Sequence, residues 1–479
     1  MRAASGCGPW CRRCSMMRRT NGASRTVGRR SAGIRNKATL RPRAASSFDD
    51  RTRDCTANMK PIGSCRAADA AAPCPRPTPA AQPSETFMKR RALLQSAVAG
   101  ALASCLTALP AHADEPIRIG LIAPFSGTFA EYGKQMEGGI KAYQKLHGTT
   151  AGGRRVEILM KDTTGPVPEI AKRLAQELVV RDKVDFLAGF CLTPEALAVT
   201  PIAQQAKVPM VIFNAASSSI TTKSDYVTRV SMTLPQVSAP MATWALKNGI
   251  KQVAIVVADY APGIDAEHAF RQTFTAGGRQ VVEAVRVPLR NPEFAPFIQR
   301  VKDVKPQAVF VFLPAGEQGV AFMKGFRDRG LAQAGIKLIA TGDLTDDHVL
   351  PAMGDATLGV ITAFHYSAAH DSPQNKTFLK AFADANPGAG RPNFMAVAAY
   401  DGLGAIYDVI NRLGGKMDGT KAMGLFKGMK IDSPRGPVLI DPATRDVVQT
   451  VYIRRVEKVG GELYNVEFDK FADVKDPGK

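Results

Sequence analysis

The chain has 479 residues, of which 45% are hydrophobic, and its formal net charge is +20. This length is typical of two or three domains, and such a charge usually indicates a nucleic acid or a membrane surface as partner. The charge is concentrated, however: residues 1–113 hold 20 of the 63 Lys and Arg but only 5 of the 43 Asp and Glu. The remaining chain is nearly balanced, which argues against either partner for it.

Residues 1–87 are rich in Arg, Ser, Ala and Pro and have almost no apolar periodicity. Such a stretch cannot bury enough surface to offset its ordering entropy. We therefore predict a disordered leader, and we favour an upstream extension of the reading frame over a true tail because a predicted export signal begins at Met88. Cys11 and Cys14 form a C-x-x-C pair, but no second pair has zinc-ligand spacing, so we predict neither a zinc site nor redox chemistry.

Residues 88–113 have the three parts of a signal peptide. Lys89-Arg90-Arg91 is a charged start, Leu93–Leu109 is a short apolar run, and Ala111-His112-Ala113 is a small-x-small cleavage site. Cleavage there predicts a mature periplasmic chain that starts at Asp114. Two variants stay open: Cys105 in a lipobox-like Leu-Ala-Ser-Cys, which would anchor the protein by a lipid, and a twin-arginine signal.

From Ile117 onward, short apolar runs alternate with amphipathic stretches. Near-continuous apolar strands between helices indicate parallel sheets covered on both faces. The predicted strands are Ile117–Ala123, Val156–Lys161, Val184–Ala188, Pro209–Phe213, Tyr226–Met232, Val253–Ala258, Val281–Val287, Ala308–Leu313, Lys337–Ala340 and Val360–Ala363, with edge strands at Pro437–Ile440, Thr450–Val456 and Leu463–Phe468. The predicted helices are Glu131–His147, Glu169–Asp182, Pro194–Gln205, Ala239–Lys247, Ile264–Thr275, Glu293–Val304, Glu317–Arg329, Asn375–Ala385 and Met395–Leu413.

These units are too many for one open sheet, and the series restarts near Leu234-Pro235. The sequence therefore predicts two Rossmann-like α/β lobes, with a first connection around Thr233–Gln236.

In open α/β sheets, ligands bind beyond the carboxyl ends of the strands. In the first lobe these ends are followed by Ser126, Thr193 and Ser217, with aromatic residues nearby. Thr193-Pro194 is typical of a helix start, where free N–H groups and the helix dipole hold anions such as a carboxylate. The alternative is that Thr193 only caps its own helix and that Ser217 only lies in a turn.

The second lobe places Asp259-Tyr260 and Gly342-Asp343 after strands. An Asp at a strand end can pair with an ammonium group. The alternative for Asp343 is a cap on the following turn, Thr345–Leu350.

The sequence contains no G-x-S-x-G, no P-loop and no G-x-G-x-x-G after the first strand, and its His residues lack ligand-like spacing with Cys. We predict no enzyme, no cofactor and no metal. A ligand-sensing domain of a receptor or regulator is the alternative from another class.

The same residues resemble the periplasmic leucine/isoleucine/valine-binding protein family, in order from about Ile117 to Val456. The resemblance rests on Ile122–Tyr143 with Ser126-Gly127 and Glu131-Tyr132-Gly133, on Asp162 with Thr-Thr-Gly, on Gly189–Thr193, on Asn214–Ser219 and on Ala258-Asp259-Tyr260. The family implies a type I periplasmic binding protein: two lobes joined by three crossovers, which close on a ligand by a hinge. It therefore implies a monomeric solute-binding protein that delivers its ligand to an ABC permease in the inner membrane.

The resemblance places the crossovers near Thr233–Gln236, Phe364–Ser367 and Val447–Val451. Lobe 1 then comprises residues 114–234 and 366–446, and lobe 2 residues 235–365 and 447–479. It assigns ligand contacts as follows: the ligand carboxylate to Thr193 and Ser217, the ammonium group to the Ala215 carbonyl and Asp343, and a side-chain pocket to Tyr132, with Ser126 and Tyr260 at the cleft.

The chain departs from the family at two places. Ala261-Pro262 separates Tyr260 from Gly263, which displaces the aromatic, and the first-lobe disulfide is absent because only Cys191 remains. The loops Thr164–Glu169 and Asp259–Asp265 look more like relatives that bind aromatic or other organic acids. The expected ligand is an amino acid of the branched-chain type or a related carboxylate, with an aromatic acid as the alternative.

Overall fold

The computed structural model describes residues 115–479. The predicted leader, the predicted signal at 88–113 and Cys105 lie outside the described residues. None of the helices described is both long enough and apolar enough to cross a bilayer.

Strands and helices alternate along most of this part of the chain. The strands are β1 Ile117–Ala123, β2 Thr150–Ala151, β3 Arg154–Asp162, β4 Phe186–Gly189, β5 Met210–Ile212, β6 Val227–Arg229, β7 Gln252–Ala258, β8 Gln280–Val287, β9 Ala308–Phe312, β10 Lys337–Thr341, β11 Ile361–Phe364, β12 Lys430–Ser433, β13 Gly436–Ile440, β14 Val447–Val459 and β15 Glu462–Val474. The helices are α1 Ala130–His147, α2 Pro168–Val180, α3 Thr193–Ala206, α4 Leu234–Lys247, α5 Ala261–Ala276, α6 Phe294–Asp303, α7 Glu317–Asp328, α8 Leu350–Met353, α9 Pro373–Ala385, α10 Phe394–Arg412 and α11 Gly419–Phe426.

The first sheet has six strands in the order β2-β3-β1-β4-β5-β6. All its pairs are parallel except β2 with β3. Its central strands are almost wholly buried, as near-continuous apolar runs require when helices cover both faces. The carboxyl ends of β1, β4 and β5 therefore lie side by side at one edge.

The second sheet has nine strands, with the path β12-β13-β14-β11-β10-β9-β7-β8 and β15 paired to β14. Strands β7 to β11 are parallel, and β12 to β15 join them in antiparallel pairs. The carboxyl ends of β7, β9 and β10 are adjacent in the same way as those of the first sheet.

The segments that pass between the sheets are tied together by two buried glutamines. Gln236 Nε2 donates to the carbonyls of Val447 (2.8 Å) and Val474 (2.7 Å). Gln449 Nε2 donates to the Ser231 carbonyl (2.8 Å) and to Gln236 Oε1 (3.0 Å). Buried amide groups that donate to carbonyls of other segments fix the relative position of those segments.

The predicted α/β class with two parallel sheets is confirmed, and β1 has the predicted bounds. Helix α4 begins at Leu234 rather than Ala239, because Thr233 Oγ1 accepts from the Gln236 N–H and caps the helix, with Pro235 in its first turn. The sequence analysis missed α11 and β12, which are too short for a clear periodicity.

Candidate functional site

The loops after β4 and β5 are locked together at the edge of the first sheet. The Ala215 N–H donates to the Phe190 carbonyl (2.9 Å), and Asn214 Nδ2 donates to the Cys191 carbonyl (2.8 Å). The Ser217 N–H donates to Thr193 Oγ1 (3.3 Å). Three predicted ligand residues, Thr193, Ala215 and Ser217, thus lie close together.

The backbone after β4 takes a conformation that most residues avoid. Gly189 has φ +100°, and a Cβ there would collide with the carbonyl oxygen of Ile122. Phe190 follows with φ +62° although it is a bulky residue. Unusual backbone of this kind persists only where the surroundings impose it, and it is concentrated at functional sites. Here it turns the chain sharply into α3.

Helix α3 begins at Thr193, so Leu192 is its N-cap residue and no side chain caps the helix. The prediction that Thr193 is the N-cap was therefore wrong by one position. The Thr193 hydroxyl accepts the Ser217 N–H instead of turning back onto its own helix. Its O–H remains available as a donor beside the positive end of the helix dipole.

An acid from the second sheet reaches these loops. Asp265 lies in the first turns of α5, which follows β7. Its Oδ2 accepts from the Ser217 hydroxyl (2.7 Å) and from the Ser218 N–H (3.1 Å). A carboxylate is thus bound by the loop after β5, and the two sheets are joined at this point.

Tyr132, on the helix after β1 of the first sheet, lies close to Tyr260 and Asp343, which follow strands of the second sheet. The Tyr132 hydroxyl, on α1, donates to the Ala315 carbonyl after β9 (3.1 Å). Tyr260 stacks on Phe312 with a centroid distance of 6.1 Å. Burial, with the nearby Tyr260 and Asp343, raises the pKa of Tyr132 well above its ordinary value.

Three buried acids, Asp343, Asp346 and Asp347, follow β10, and the first two form no ion pair with a described residue. Asp343 Oδ2 accepts from the Thr341 hydroxyl (2.8 Å), and burial raises the pKa of Asp343 to about 7. Asp346 accepts the His348 N–H (3.1 Å), and burial, followed by the charge of Asp347, raises its pKa to about 8. The Arg454 guanidinium pairs with Asp347 (3.9 Å) and with neither of these two acids. Burial thus shifts the protonation equilibrium of both carboxyls toward the neutral acid.

Ser126 lies apart from the other predicted residues, exposed in the connection after β1. Beside it, a cavity of about 370 Å³ opens between the loops after β1 and β3 and those after β8 and β9. Phe129, Leu289 and Phe294 give it apolar walls. None of the seven predicted ligand residues lines this cavity.

Among residues 115–479, no group of three or more His, Cys, Asp or Glu is arranged to hold a metal ion. The cleft instead offers hydroxyl and amide donors on one side, and aromatic rings with buried acids of raised pKa on the other. Such a set can bind a small polar molecule without chemistry.

Comparisons with known proteins agree with this geometry. The model of the periplasmic binding protein family matches residues 116–461. The chain belongs to the periplasmic binding protein family.

Three relatives show how similar individual members are. Leu/Ile/Val-binding protein homolog 6 of Brucella melitensis is 48% identical over 395 residues, which is 82% of this chain and 99% of that protein. A solute-binding protein of an ABC transporter from Rhodopseudomonas palustris BisB5, solved with 3,4-dihydroxybenzoic acid, is 53% identical with a TM-score of 0.74. One from R. palustris, solved with 4-hydroxybenzoate, is 47% identical with a TM-score of 0.75. Each of the two structural matches covers 76% of this chain and 99% of the chain in the solved structure.

As a member of this family, the chain is an extracytoplasmic solute-binding protein of an ABC transporter with the type I fold. The predictions of fold, family and solute binding, and of a protein that is not an enzyme, are confirmed.

Sequence reasoning missed Asp265 and Asp346 as residues of the cleft. Asp265 lies one turn inside a helix, where an acidic residue is usually solvated, and its partners are 48 residues away in sequence. The only available signal was the position of the Asp259–Asp265 loop after a strand.

Proposed function

We propose that the protein captures a hydroxylated aromatic carboxylate between its two lobes and delivers it to an ABC permease. The solved relatives with 47% and 53% identity each hold a hydroxylated benzoate. The cleft of this chain has aromatic side chains to match, since Tyr260 stacks on Phe312 and Tyr132 lies beside it. Offset ring contacts of this kind favour a flat aromatic ligand.

One observation carries the assignment of the carboxylate end. The Ser217 hydroxyl and the Ser218 N–H already bind a carboxylate, that of Asp265, at 2.7 and 3.1 Å. These donors are therefore spaced for a carboxylate. The O–H of Thr193, which lies next to Ser217, adds a third donor at the start of α3. We assign the carboxylate of the ligand to Thr193 and Ser217.

The opposite end of the ligand meets Asp343 and Tyr260. A carboxyl with a pKa of about 7 is neutral or ionised with little energy difference at neutral pH. It can accept a hydrogen bond from a phenolic hydroxyl or donate one to it. A neutral hydroxyl suits this environment better than an apolar group, because it adds a hydrogen bond to the one that the buried acid accepts from Thr341.

A branched-chain amino acid is the second candidate. The relative from Brucella melitensis is named as a homolog of Leu/Ile/Val-binding proteins. Asp343 is a buried acid without a Lys or Arg partner, which an ammonium group would supply, with the Ala215 carbonyl as a further acceptor. An ammonium would lower the pKa of Asp343 on binding, whereas a phenol would not.

A thermal-shift screen followed by calorimetry separates the two candidates. The panel contains 4-hydroxybenzoate, 3,4-dihydroxybenzoate, benzoate, leucine and isoleucine. A ligand that binds only the native state raises the unfolding temperature with its concentration. We expect the two hydroxybenzoates to raise it and the amino acids to have no effect. A shift with leucine but with neither hydroxybenzoate contradicts the proposal.

We further propose a hinge-closing mechanism with lobe 1 at residues 114–234 and 366–446 and lobe 2 at 235–365 and 447–479. Gln236 and Gln449 would hold the crossovers near Thr233–Gln236 and Val447–Val451, with a third near Phe364–Ser367. The ligand favours the closed form because it contacts both lobes, and the closed form is recognised by the permease. The protein acts as a periplasmic monomer, and a native N-terminus at Asp114 determined by mass spectrometry excludes lipidation at Cys105.

A further inference from the structure

Asp265 occupies the donors that the proposed function gives to the ligand. Both of its hydrogen bonds run to the loop after β5, from Ser217 and Ser218, and both end on the same oxygen, Oδ2. Within residues 115–479, these donors are neutral and Oδ1 has no hydrogen-bond partner. The carboxylate of Asp265 is therefore held as a ligand would be held.

One hydroxyl proton cannot serve two carboxylates. When the Ser217 O–H donates to Asp265, it is not available to a second acceptor. A second anion at the same place would also face the charge of Asp265 in a partly buried setting, where like charges repel strongly. The ligand carboxylate and the Asp265 carboxylate therefore exclude one another at these donors.

We propose that Asp265 is a built-in competitor for the carboxylate subsite and thereby sets the affinity and the selectivity of the protein. This inference rests on the proposed function. In a ligand-free molecule whose lobes are closed, Asp265 holds the Ser217 and Ser218 donors; a ligand binds only if its carboxylate and its ring together bind better than Asp265 does. Acids that lack a ring for the Tyr260 and Phe312 surface are discriminated against, because they gain too little to displace it.

The size of the effect follows from the population of the competent state. Apparent affinity falls in proportion to the fraction of molecules in which the donors are free. Hydrogen bonds to a charged group contribute about 1.5–3 kcal/mol, which corresponds to roughly a tenfold to hundredfold reduction. Removal of the Asp265 carboxylate should therefore raise the apparent affinity for the ligand by the same factor.

The test measures the dissociation constant of 4-hydroxybenzoate by calorimetry for the wild type, Asp265→Ala and Asp265→Asn. We expect Asp265→Ala to bind about tenfold more tightly. Asp265→Asn should lie between it and the wild type, because a neutral amide oxygen accepts the same hydrogen bonds more weakly. Asp259→Ala is the matched control: it removes an exposed acid from the same β7–α5 connection and should leave the constant unchanged.

A second variant separates competition from a general change in charge or closure. In the Ser217→Ala background, Asp265 has lost one of its two hydrogen bonds, so the gain from Asp265→Ala should shrink severalfold. Circular dichroism confirms the fold of each variant. Affinity that is unchanged or weaker in both Asp265 variants overturns the inference. If no aromatic acid binds the wild type, the proposed function fails first, and the two failures are thus distinguishable.

Discussion

The two sides of the cleft use opposite kinds of polar group. The loops after β4 and β5 present donors, which are the hydroxyls of Thr193 and Ser217 and the N–H of Ser218. The segment after β10 presents the carboxyls of Asp343 and Asp346, whose pKa values burial raises to about 7 and about 8. Both sides lie at carboxyl ends of parallel strands, yet one is suited to an anion and the other to a neutral or cationic group.

This difference explains how one fold can be adapted to different ligands. In the proposed function, the donor side binds the carboxylate that aromatic acids and amino acids share. The acid side would then decide between a hydroxyl and an ammonium, because its carboxyls can be either protonated or ionised near neutral pH. The following predictions test the division, from the largest expected effect to the smallest.

Asp346→Asn should remove part of the pH dependence of the free energy of unfolding. With a pKa of about 8 in the native state against 3.8 ordinarily, Asp346 binds its proton more tightly when folded. Its contribution to stability is complete below pH 4 and is lost as the pH rises toward 8. The free energy of unfolding of the variant should therefore exceed that of the wild type at pH 8, by an amount on the order of a few kcal/mol.

Urea unfolding at pH 4 and pH 8 measures this difference. Asp259→Asn, at an exposed position, should change stability by less than about 0.5 kcal/mol at both values. If the free energies of unfolding of Asp346→Asn and the wild type differ by the same amount at pH 4 and pH 8, the raised pKa of Asp346 is contradicted.

Thr193→Val should weaken binding of 4-hydroxybenzoate by about tenfold or more, because it removes a donor to a charged carboxylate while it keeps the side-chain volume. Ser217→Ala should weaken binding less. The substitution removes a donor from the ligand, but it removes the same donor from the competing Asp265 carboxylate. Calorimetry gives both constants. Thr200→Val is the matched control: this hydroxyl, on the same helix, donates to the Leu197 carbonyl (3.0 Å) and should not affect binding. Equal affinity in Thr193→Val and the wild type would remove Thr193 from the site.

The uptake or release of protons when the ligand binds should reveal the chemical class of the ligand. Asp343 has a pKa of about 7. A bound anion disfavours its ionised form, so a hydroxybenzoate should bind more tightly at pH 6 than at pH 8, by up to about tenfold, and take up protons. An ammonium would give the opposite sign. Calorimetry in buffers of different ionisation enthalpy measures the sign, and proton release would favour an amino acid.

Tyr132→Phe should have the smallest effect, a loss of about fivefold in affinity. It removes only the hydroxyl that donates to the Ala315 carbonyl (3.1 Å), a hydrogen bond between the two sides of the cleft that contributes about 1 kcal/mol. Tyr407→Phe is the control, since its hydroxyl donates to the Gly148 carbonyl (3.3 Å) away from the cleft. Binding that weakens equally in both variants would show that the effect is not specific to closure.

Much of the architecture followed from local pattern. The strand predicted at Ile117–Ala123 has those bounds, and helix α7 begins at Glu317 as predicted. Thr193 and Ser217 were expected to lie close together because they follow adjacent strands, and they do; their contact with a ligand stays a prediction. The start of α3 was placed one residue late, since a Thr before a Pro is usually an N-cap and only the contact with Ser217 shows another use.

The sequence by itself determined the alternation of elements and the strand ends, because each depends on residues that are neighbours along the chain; the export signal before Asp114 stays a prediction. The tertiary structure alone decided what those strand ends meet. It brought Asp265 to Ser217 across 48 residues, and Tyr132 to Ala315 across 183. It also buried Asp343 and Asp346, and burial rather than residue type raises their pKa values. Desolvation and long-range hydrogen bonds depend on the packed fold, so no local pattern could have supplied them.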